Sequence, residues 1–348
     1  MNDRQAIEEI DTSDLLSVVE DLGAQCEDGA AVARAFIQDT ITGIGNIVIL
    51  GMGGSGISGD IARTLLASEL SVPLDVVKGY SLPGYVGGDT LVFAVSYSGE
   101  TEETLSCYKQ AAKKGARIIA ITSGGELRRM ASDAGHPVIG IPGGLQPRAA
   151  LGYLLMPVIV ILSRLEMIPD ISSSIEEAVS VLKEMHREFS FENLEDANLP
   201  KRLARMLFGK IPVVYGSEGV LSAAALRWKC QFNENSKIPA FQNVFPELNH
   251  NEIVGWELMK DRTRSFHLIM LRSADEHDRI QKRIDITLPL IADHLDGVTE
   301  IWARGDSRLA QLLSTVYIGD LTSVYLAILN GVNPTPVDRI KLLKKKLS

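Results

Sequence analysis

The chain has 348 residues, of which 45% are hydrophobic and 23% charged, and its formal net charge is −9. This length and composition allow about two globular domains with substantial cores. The acidic balance argues against a general nucleic-acid-binding protein, which needs a basic face, but a small anionic substrate can still bind at a local group of hydrogen-bond donors.

The cysteines and the apolar stretches suggest a cytoplasmic protein. Cys26, Cys107 and Cys230 are far apart and follow neither a disulfide framework nor metal-ligand spacing. The polar, acidic N-terminus is not typical of a signal peptide. The longest apolar stretch, 149–162, is too short to span a bilayer and contains a proline, so it predicts a buried helix. We therefore expect no membrane segment.

Strand and helix patterns alternate through the first half of the chain. The first forty residues are helical in pattern, with a capping signal at 11–14. Strands are predicted at 46–50, 74–78, 91–95 and 117–122, with helices at 57–68 and 102–114. Residues 147–185 are mostly helical, and a proline followed by three serines suggests a domain joint near 169–174.

The alternation resumes in the second half. Strands are predicted at 211–215, 265–271 and 298–302, helices at 219–232 and 308–329, and a basic helical tail at 338–348. Repeated strand–helix units predict α/β lobes whose parallel sheets are covered on both faces. We divide the chain into 1–165 (N-terminal helices and first lobe), a helical linker at 166–195, and 196–348 (second lobe and tail).

A glycine-rich turn follows the first predicted strand. Gly51, Gly53 and Gly56 satisfy the G-x-G-x-x-G pattern, and Asp75 lies at the distance that a dinucleotide-binding unit requires. However, Asp75 lies inside a predicted strand rather than at its carboxyl end, and Ser55 adds a hydroxyl at the helix N-terminus. A nicotinamide-dependent enzyme and a ligand-free tight turn both remain open here.

The segment SYSGET, residues 96–101, ends a buried strand and opens a helix. A helix N-terminus offers unpaired N–H groups, to which Ser96, Ser98 and Thr101 add hydroxyls, while Gly99 allows close approach. This combination is typical of a site for a monophosphate. The alternative is that the hydroxyls only cap the helix, although one hydroxyl would be enough.

These two segments, GMGGSG and VSYSGETEET, together resemble the sugar isomerase (SIS) domain. The resemblance implies two doubly wound parallel-sheet SIS lobes, each an αβα sandwich, and binding of a phosphorylated sugar. It also implies that Gly54, Ser55, Ser96, Ser98 and Thr101 lie near the phosphate.

SIS domains also occur in sensors, so catalysis needs its own groups. Aldose–ketose isomerisation requires a base, a ring-opening group and a positive charge near the enediolate. Glu234, flanked by asparagines after an apolar helix, is a candidate base, and His250, in a polar and turn-rich segment, is a candidate proton shuttle. From residue types alone either side chain could equally be solvated, and the six histidines show no metal spacing.

Four longer segments extend the resemblance to nearly the whole chain. PRAALGYLL at 147–155, NENSK at 233–237, FPELNHNEIVGW at 245–256 and NPTPVDRIKLLKKKL at 333–347 resemble the bifunctional phosphoglucose/phosphomannose isomerase family. The resemblance implies that Glu234 moves the proton between C1 and C2 and that Arg148 stabilises the enediolate. It further implies that His250 assists ring opening from the partner subunit of a homodimer, without cofactor or metal.

The tail adds one more group. Matching it to the pattern I-x-x-L-K-x-x-L identifies Lys344 as the ring-opening lysine, although Lys341, Lys345 and Lys346 are close by and a basic helix C-terminus is favoured by the helix dipole alone. Val337 stands where some relatives have a threonine associated with the space beside C2. Valine preserves that space but lacks the hydroxyl, so the mannose activity is more in doubt than the glucose activity.

The sequence thus predicts an isomerase of glucose 6-phosphate and mannose 6-phosphate with fructose 6-phosphate, acting in glycolysis and gluconeogenesis. Three alternatives remain: a non-catalytic sugar-phosphate sensor, a nicotinamide-dependent oxidoreductase, and an isomerase of another sugar phosphate.

Overall fold

The computed structural model describes residues 1, 3–36 and 41–347. Parts of two sequence predictions, residues 2 and 37–40 of the N-terminal helices and residue 348 of the tail, lie outside the described residues. Within them the chain forms two compact units. The first unit comprises 21–180 and 307–310, and the second comprises 1–20, 181–306 and 311–347.

Fifteen α-helices and nine strands make up the described chain. The helices are α1 (Arg4–Ile10), α2 (Leu15–Glu20), α3 (Leu22–Ala35), α4 (Gly53–Leu66), α5 (Glu102–Lys113), α6 (Gly125–Asp133), α7 (Leu151–Arg164), α8 (Ser172–Glu188), α9 (Leu199–Leu207), α10 (Val220–Glu234), α11 (Glu252–Gly255), α12 (Lys260–Thr263), α13 (Asp278–Ala292), α14 (Arg308–Leu329) and α15 (Asp338–Leu347). The strands are β1 (Asn46–Leu50), β2 (Leu74–Val77), β3 (Thr90–Val95), β4 (Arg117–Thr122), β5 (Val138–Gly140), β6 (Ile211–Ser217), β7 (Phe241–Phe245), β8 (Phe266–Arg272) and β9 (Gly297–Trp302). Three short 3-10 helices, Pro147–Ala149, Glu195–Ala197 and Glu247–His250, complete the chain.

The first unit contains a five-stranded parallel sheet of order β2-β1-β3-β4-β5. Every residue of β1 and β3 is buried, as continuous apolar runs in a sheet covered on both faces should be. From β1 the chain winds outward to β2, and from β3 it winds the other way to β4, so the sheet is doubly wound. The predicted α/β fold is confirmed for this unit.

The predicted buried helix of the first unit is α7, which packs along α3. The two helices meet at glycines: a Cβ placed on Gly29 would lie 2.7 Å from the carbonyl oxygen of Gly152. Gly152 opens the helix shortly after Arg148, so this packing also holds the segment that carries Arg148. The contact requires glycine on both sides because no side chain fits.

The second unit contains a four-stranded parallel sheet of order β7-β6-β8-β9. It is doubly wound in the same sense as the first, which again confirms the predicted fold. The long helix α14 is long and apolar enough to cross a membrane, but 94% of its most apolar window is buried inside the molecule. A buried apolar helix of this kind is typical of a protein core.

Helix α10 is fastened to α14 by a buried ion pair. Both Arg227 and Asp320 are almost completely buried, and the Arg227 Nε donates to Asp320 Oδ1 at 3.0 Å. Burial raises the pKa of Asp320, although the Arg227 charge opposes that shift. The Trp228 indole lies over Gly319 and donates to the carbonyl of Thr315 at 2.9 Å. Two turns later α10 ends at Glu234, so this packing sets the direction of its last residue.

The structure differs from the sequence predictions at several elements. Neither β5 nor β7 is predicted from the sequence, because β5 has only three residues and β7 (FQNVF), at a sheet edge, has two adjacent polar residues that break both a continuous apolar run and a strict alternation. The helix predicted at 57–68 begins earlier, at Gly53, so the glycine-rich turn supplies the first helical turn of α4. The predicted N-terminal cap is confirmed: Asp11 Oδ2 accepts a hydrogen bond from the Leu16 amide at 2.8 Å.

Replacing Arg227 by methionine should destabilise the second unit by about 3–5 kcal/mol, because the Asp320 carboxylate then stays buried without its counter-charge. The control Arg205→Met removes an exposed pair with Glu195 and should cost less than about 1 kcal/mol. Urea unfolding followed by tryptophan fluorescence reports on this unit, since Trp228, Trp256 and Trp302 all lie in it. Equal losses in both variants would contradict the expectation.

Candidate active site

The loops after β1 and β3 lie at the switch point of the first sheet. The two strands are neighbours, with Leu50 paired to Ala94 near their carboxyl ends. Helices α4 and α5 begin directly after these loops. Two helix N-termini therefore open at the same edge of the sheet, where open α/β sheets usually bind ligands.

The SYSGET loop is held by its own hydrogen bonds. The buried Ser96 hydroxyl donates to Thr101 Oγ1 at 3.0 Å, and Ser98 Oγ accepts from the Glu100 amide at 3.2 Å. Thr101 occupies the N-cap position of α5, yet its side chain makes no capping hydrogen bond within the described residues. In the described chain the Thr101 hydroxyl therefore does not cap α5, so capping does not explain this residue.

Gly99 gives this loop its shape. Its φ of +72° is left-handed, and a Cβ there would lie 1.9 Å from the carbonyl oxygen of Gly124. The Leu127 amide donates to the Gly99 carbonyl at 2.9 Å, which ties the loop to the start of α6. Only glycine satisfies both the backbone conformation and the available space.

The glycine-rich loop after β1 contacts the SYSGET loop. Ser55 is buried, and its hydroxyl accepts a hydrogen bond from the Tyr97 amide at 3.2 Å. The structure therefore brings the predicted phosphate residues of both loops together. Asp75, by contrast, lies within β2, where it accepts a hydrogen bond from the Tyr85 hydroxyl instead of projecting from a strand end.

Arg148 lies beside the glycine-rich loop. It is 5% exposed and sits in the short 3-10 helix Pro147–Ala149. A Cβ on Gly54 would be 2.4 Å from the Pro147 carbonyl oxygen and 2.7 Å from the Arg148 amide nitrogen. Gly54 thus allows the backbone that carries Arg148 to approach the start of α4. Within the first unit, the backbone of Arg148 therefore lies next to the predicted phosphate loops.

In the second unit, Glu234 is the last residue of α10. The next two residues are buried and anchored to α14: Asn235 Nδ2 donates to Ser323 Oγ at 2.9 Å, and Ser236 Oγ donates to the Ser323 carbonyl at 2.6 Å. With the Arg227–Asp320 pair, these contacts fix the helix end on both sides of Glu234.

Lys237 is the last residue of the NENSK motif, and the structure gives it a distinct place. Its backbone is left-handed, with φ of +59°. Its ammonium donates to the carbonyl of Glu234 and also to the carbonyls of Pro334, at 3.0 Å, and Pro336, at 2.6 Å. Lys237 therefore ties the end of α10 to the segment that leads into α15. Only the tertiary structure reveals these partners, which are nearly a hundred positions away.

His250 is exposed at the end of the 3-10 helix Glu247–His250, whereas the chain after it is anchored. The Glu252 carboxylate accepts hydrogen bonds from the Tyr215 hydroxyl and the Asn243 amide, and Trp256 donates to Tyr215 at 3.1 Å. Burial and the nearby Glu252 charge raise the pKa of Tyr215, so the Tyr215 hydroxyl keeps its proton in this network. The segment is thus fixed while the imidazole faces outward.

Lys344 lies on α15, whose ten residues are all exposed. The second unit therefore does not bury the Lys344 side chain against Glu234 or any other group. Val337, just before the helix, is half-buried, and its carbonyl accepts from the amides of Ile340 and Lys341.

Comparison with known proteins agrees with this architecture. Residues 40–138 match the SIS domain, and residues 196–347 match the bacterial phospho-glucose isomerase C-terminal SIS domain. A glucose-6-phosphate isomerase like protein from Thermus thermophilus has the same fold, with a TM-score of 0.65 at 19% identity, over 96% of both chains.

Two curated relatives match most of the chain at higher sequence identity than that Thermus thermophilus protein does. The bifunctional phosphoglucose/phosphomannose isomerase of Caldicellulosiruptor bescii is 47% identical over 305 residues, which cover 88% of this chain and 90% of the relative. That of Aquifex aeolicus is 39% identical over 314 residues, covering 89% and 93%. The fold, the two loops and these near full-length matches lead to one conclusion: the chain is an isomerase that belongs to the bifunctional phosphoglucose/phosphomannose isomerase family.

Proposed function

We propose that the chain interconverts glucose 6-phosphate and mannose 6-phosphate with fructose 6-phosphate, using the residues predicted above. The observation that carries the proposal is the junction of two hydroxyl-bearing helix N-termini with Arg148 in the first unit. Gly54, Ser55, Ser96, Ser98 and Thr101 bind the phosphate through hydroxyl and N–H donors. An anion at this place also gains from the positive ends of both helix dipoles.

The proton transfer is assigned to the second unit. Once the ring is open, the Glu234 carboxylate removes the proton from C2 of the aldose, and the resulting enediolate is stabilised by the Arg148 guanidinium. A proton then moves from O2 to O1 and Glu234 returns its proton to C1, so the ketose forms without net oxidation or reduction. His250 and Lys344 exchange the protons needed for ring opening. Neither a metal nor a cofactor is required by this sequence of steps.

We further propose that the protein is a homodimer in which His250 acts from the partner subunit. Apolar side chains are exposed around the segment that carries it: Phe241, Val254, Leu258 and Met259 are between 53% and 76% exposed. A cavity of about 440 Å³ beside them is lined partly by Trp256 and Phe266. A second copy of the chain would bury this surface, which is costly to leave in water.

The remaining assignments follow from the same proposal. A cytoplasmic location and a role in glycolysis and gluconeogenesis fit an enzyme of hexose 6-phosphates. The division into 1–165, 166–195 and 196–348 is proposed as a functional division, and it differs from the two compact units, which place residues 1–20 in the second unit and divide 166–195 between both. Assay of both aldose phosphates also tests whether Val337 leaves room for either configuration at C2.

Changing Glu234 to glutamine should lower kcat by roughly 10²–10⁴-fold, because the amide keeps the shape of the side chain but cannot accept the proton. KM for glucose 6-phosphate should stay nearly constant. A coupled assay for fructose 6-phosphate measures both, and the exposed Glu192→Gln serves as control. Full activity of the Glu234 variant would exclude the assigned base.

Changing Gly99 to alanine should raise KM by at least about tenfold, since the new methyl group overlaps the Gly124 carbonyl and deforms the phosphate loop. Gly115→Ala is a matched control, because Gly115 has a similar φ of +74° but open space around the added carbon. The control should lose only about 1–2 kcal/mol of stability. An unchanged KM in the Gly99 variant would argue against this loop as the phosphate site.

Mixing two inactive variants tests the homodimer. If His250 acts across the interface, a heterodimer of Glu234→Gln and His250→Ala contains one doubly altered site and one intact site. Random exchange should then restore about a quarter of the wild-type specific activity, because half of the dimers are mixed. Each variant incubated alone is the control. A mixture that stays inactive while subunit exchange is demonstrated would place His250 in its own chain's site.

A further inference from the structure

Tyr97 is an aromatic residue in a loop otherwise made of small and polar residues. It stands between the two predicted phosphate serines, yet it is only 5% exposed. Its ring therefore points into the first unit, where it is not available to a substrate. A monophosphate site needs hydroxyls, N–H groups and glycine, and none of these requirements explains a buried phenol.

The phenol hydroxyl holds together the segment that follows β5. It donates to the Pro142 carbonyl at 2.9 Å and accepts from the Leu145 amide at 2.9 Å. Two glycines lie between these partners, and Gly144 has a left-handed φ of +92°. Such a segment has little rigidity of its own. Burial raises the pKa of Tyr97, so the hydroxyl keeps the proton that it donates.

The segment 142–145, which the Tyr97 hydroxyl holds together, leads directly to Arg148. Only Gln146 and Pro147 separate Leu145 from Arg148, and the Pro147 carbonyl packs against Gly54 at the start of α4. A change in the path at Leu145 would therefore shift the 3-10 helix that carries the guanidinium. The 3-10 helix has little other conformational freedom, since Ala150 continues directly into α7.

The backbone of Tyr97 is bonded to the other loops at this edge. Its amide donates to Ser55 Oγ at 3.2 Å, and its carbonyl accepts from the Ser123 amide at 3.0 Å and from Ser123 Oγ at 2.6 Å. The same residue thus joins the loops after β1, β3 and β4 to the segment after β5. Replacing the side chain leaves these backbone bonds possible and removes only the link to Pro142 and Leu145.

We propose that Tyr97 is a positioning residue, whose hydroxyl fixes Arg148 relative to the phosphate-binding hydroxyls. The inference rests on the proposed function, because that function assigns the stabilisation of the enediolate to Arg148. Loss of the hydroxyl leaves the phosphate donors in place but loosens Arg148. A displacement of about 1 Å of such a group is enough to slow the chemical step.

The test compares Tyr97→Phe with Tyr108→Phe in the coupled assay with glucose 6-phosphate. Tyr108 is an equally buried tyrosine of the same unit, and its hydroxyl bonds the Met130 carbonyl and His136 Nδ1 instead of any loop of the site. We expect Tyr97→Phe to lower kcat by about tenfold with KM changed less than about twofold, and Tyr108→Phe to match the wild type. Equal effects in both variants would reduce Tyr97 to a general structural role and overturn the inference.

A double-mutant cycle separates positioning from mere stability. In an Arg148→Met background, Tyr97→Phe should cause little further loss of kcat, because it acts through the missing guanidinium. All four proteins are assayed below the lowest of their unfolding temperatures, so that each is folded. Independent, multiplicative losses would contradict the proposal.

The wild-type measurement distinguishes the two levels of the hypothesis. A wild-type protein that converts neither aldose phosphate would overturn the proposed function, and this inference with it. An active wild type with an unaffected Tyr97→Phe variant would overturn only the assignment of Tyr97.

Discussion

The first unit depends on one topological constraint, the adjacency of two parallel strands from which the chain winds in opposite directions. Because β1 and β3 are neighbours, α4 and α5 start side by side at the carboxyl edge of the sheet. Each start brings unpaired N–H groups and a positive dipole end to the same place. Serine and threonine hydroxyls then need only short loops to surround an anion, and glycines at 53 and 99 give those loops their left-handed turns.

A site of this kind works only if its donors are held in place before the ligand arrives. In the first unit they are held by each other: Ser96 by Thr101, and Ser55 by the Tyr97 amide. The Tyr97 phenol extends the same network to the segment before Arg148. Hydrogen bonds therefore connect the predicted phosphate loops to the segment before Arg148 inside one unit, although these residues lie far apart in sequence.

The second unit positions its principal group differently. Glu234 stands at the end of a helix rather than at the edge of a sheet, so its orientation depends on the packing of α10 against α14. The buried Arg227–Asp320 pair, the Trp228–Gly319 contact and the Lys237 ammonium all act on that helix end. His250 and Lys344 contrast with it, because both lie on exposed segments. In the proposed mechanism, groups that exchange protons with the sugar ring need less exact placement than the base that removes a proton from carbon.

The sequence by itself predicted the strands of continuous apolar residues, the helices between them, the two candidate phosphate loops and the candidates Glu234 and His250, whereas Arg148 followed only from the family resemblance. Those signals are local: hydrophobic periodicity, glycine at turns and hydroxyls at helix starts each act over a few residues. The edge strands β5 and β7 were not predicted from the sequence, because a short or half-exposed strand has no such pattern. What only the tertiary structure decided was which distant residues meet. The burial of Tyr97 against the Pro142–Leu145 segment, the Lys237 contacts to Pro334 and Pro336, and the approach of Pro147 to Gly54 are contacts between segments distant in sequence. Such contacts follow from how whole elements pack, and no short stretch of sequence specifies that packing.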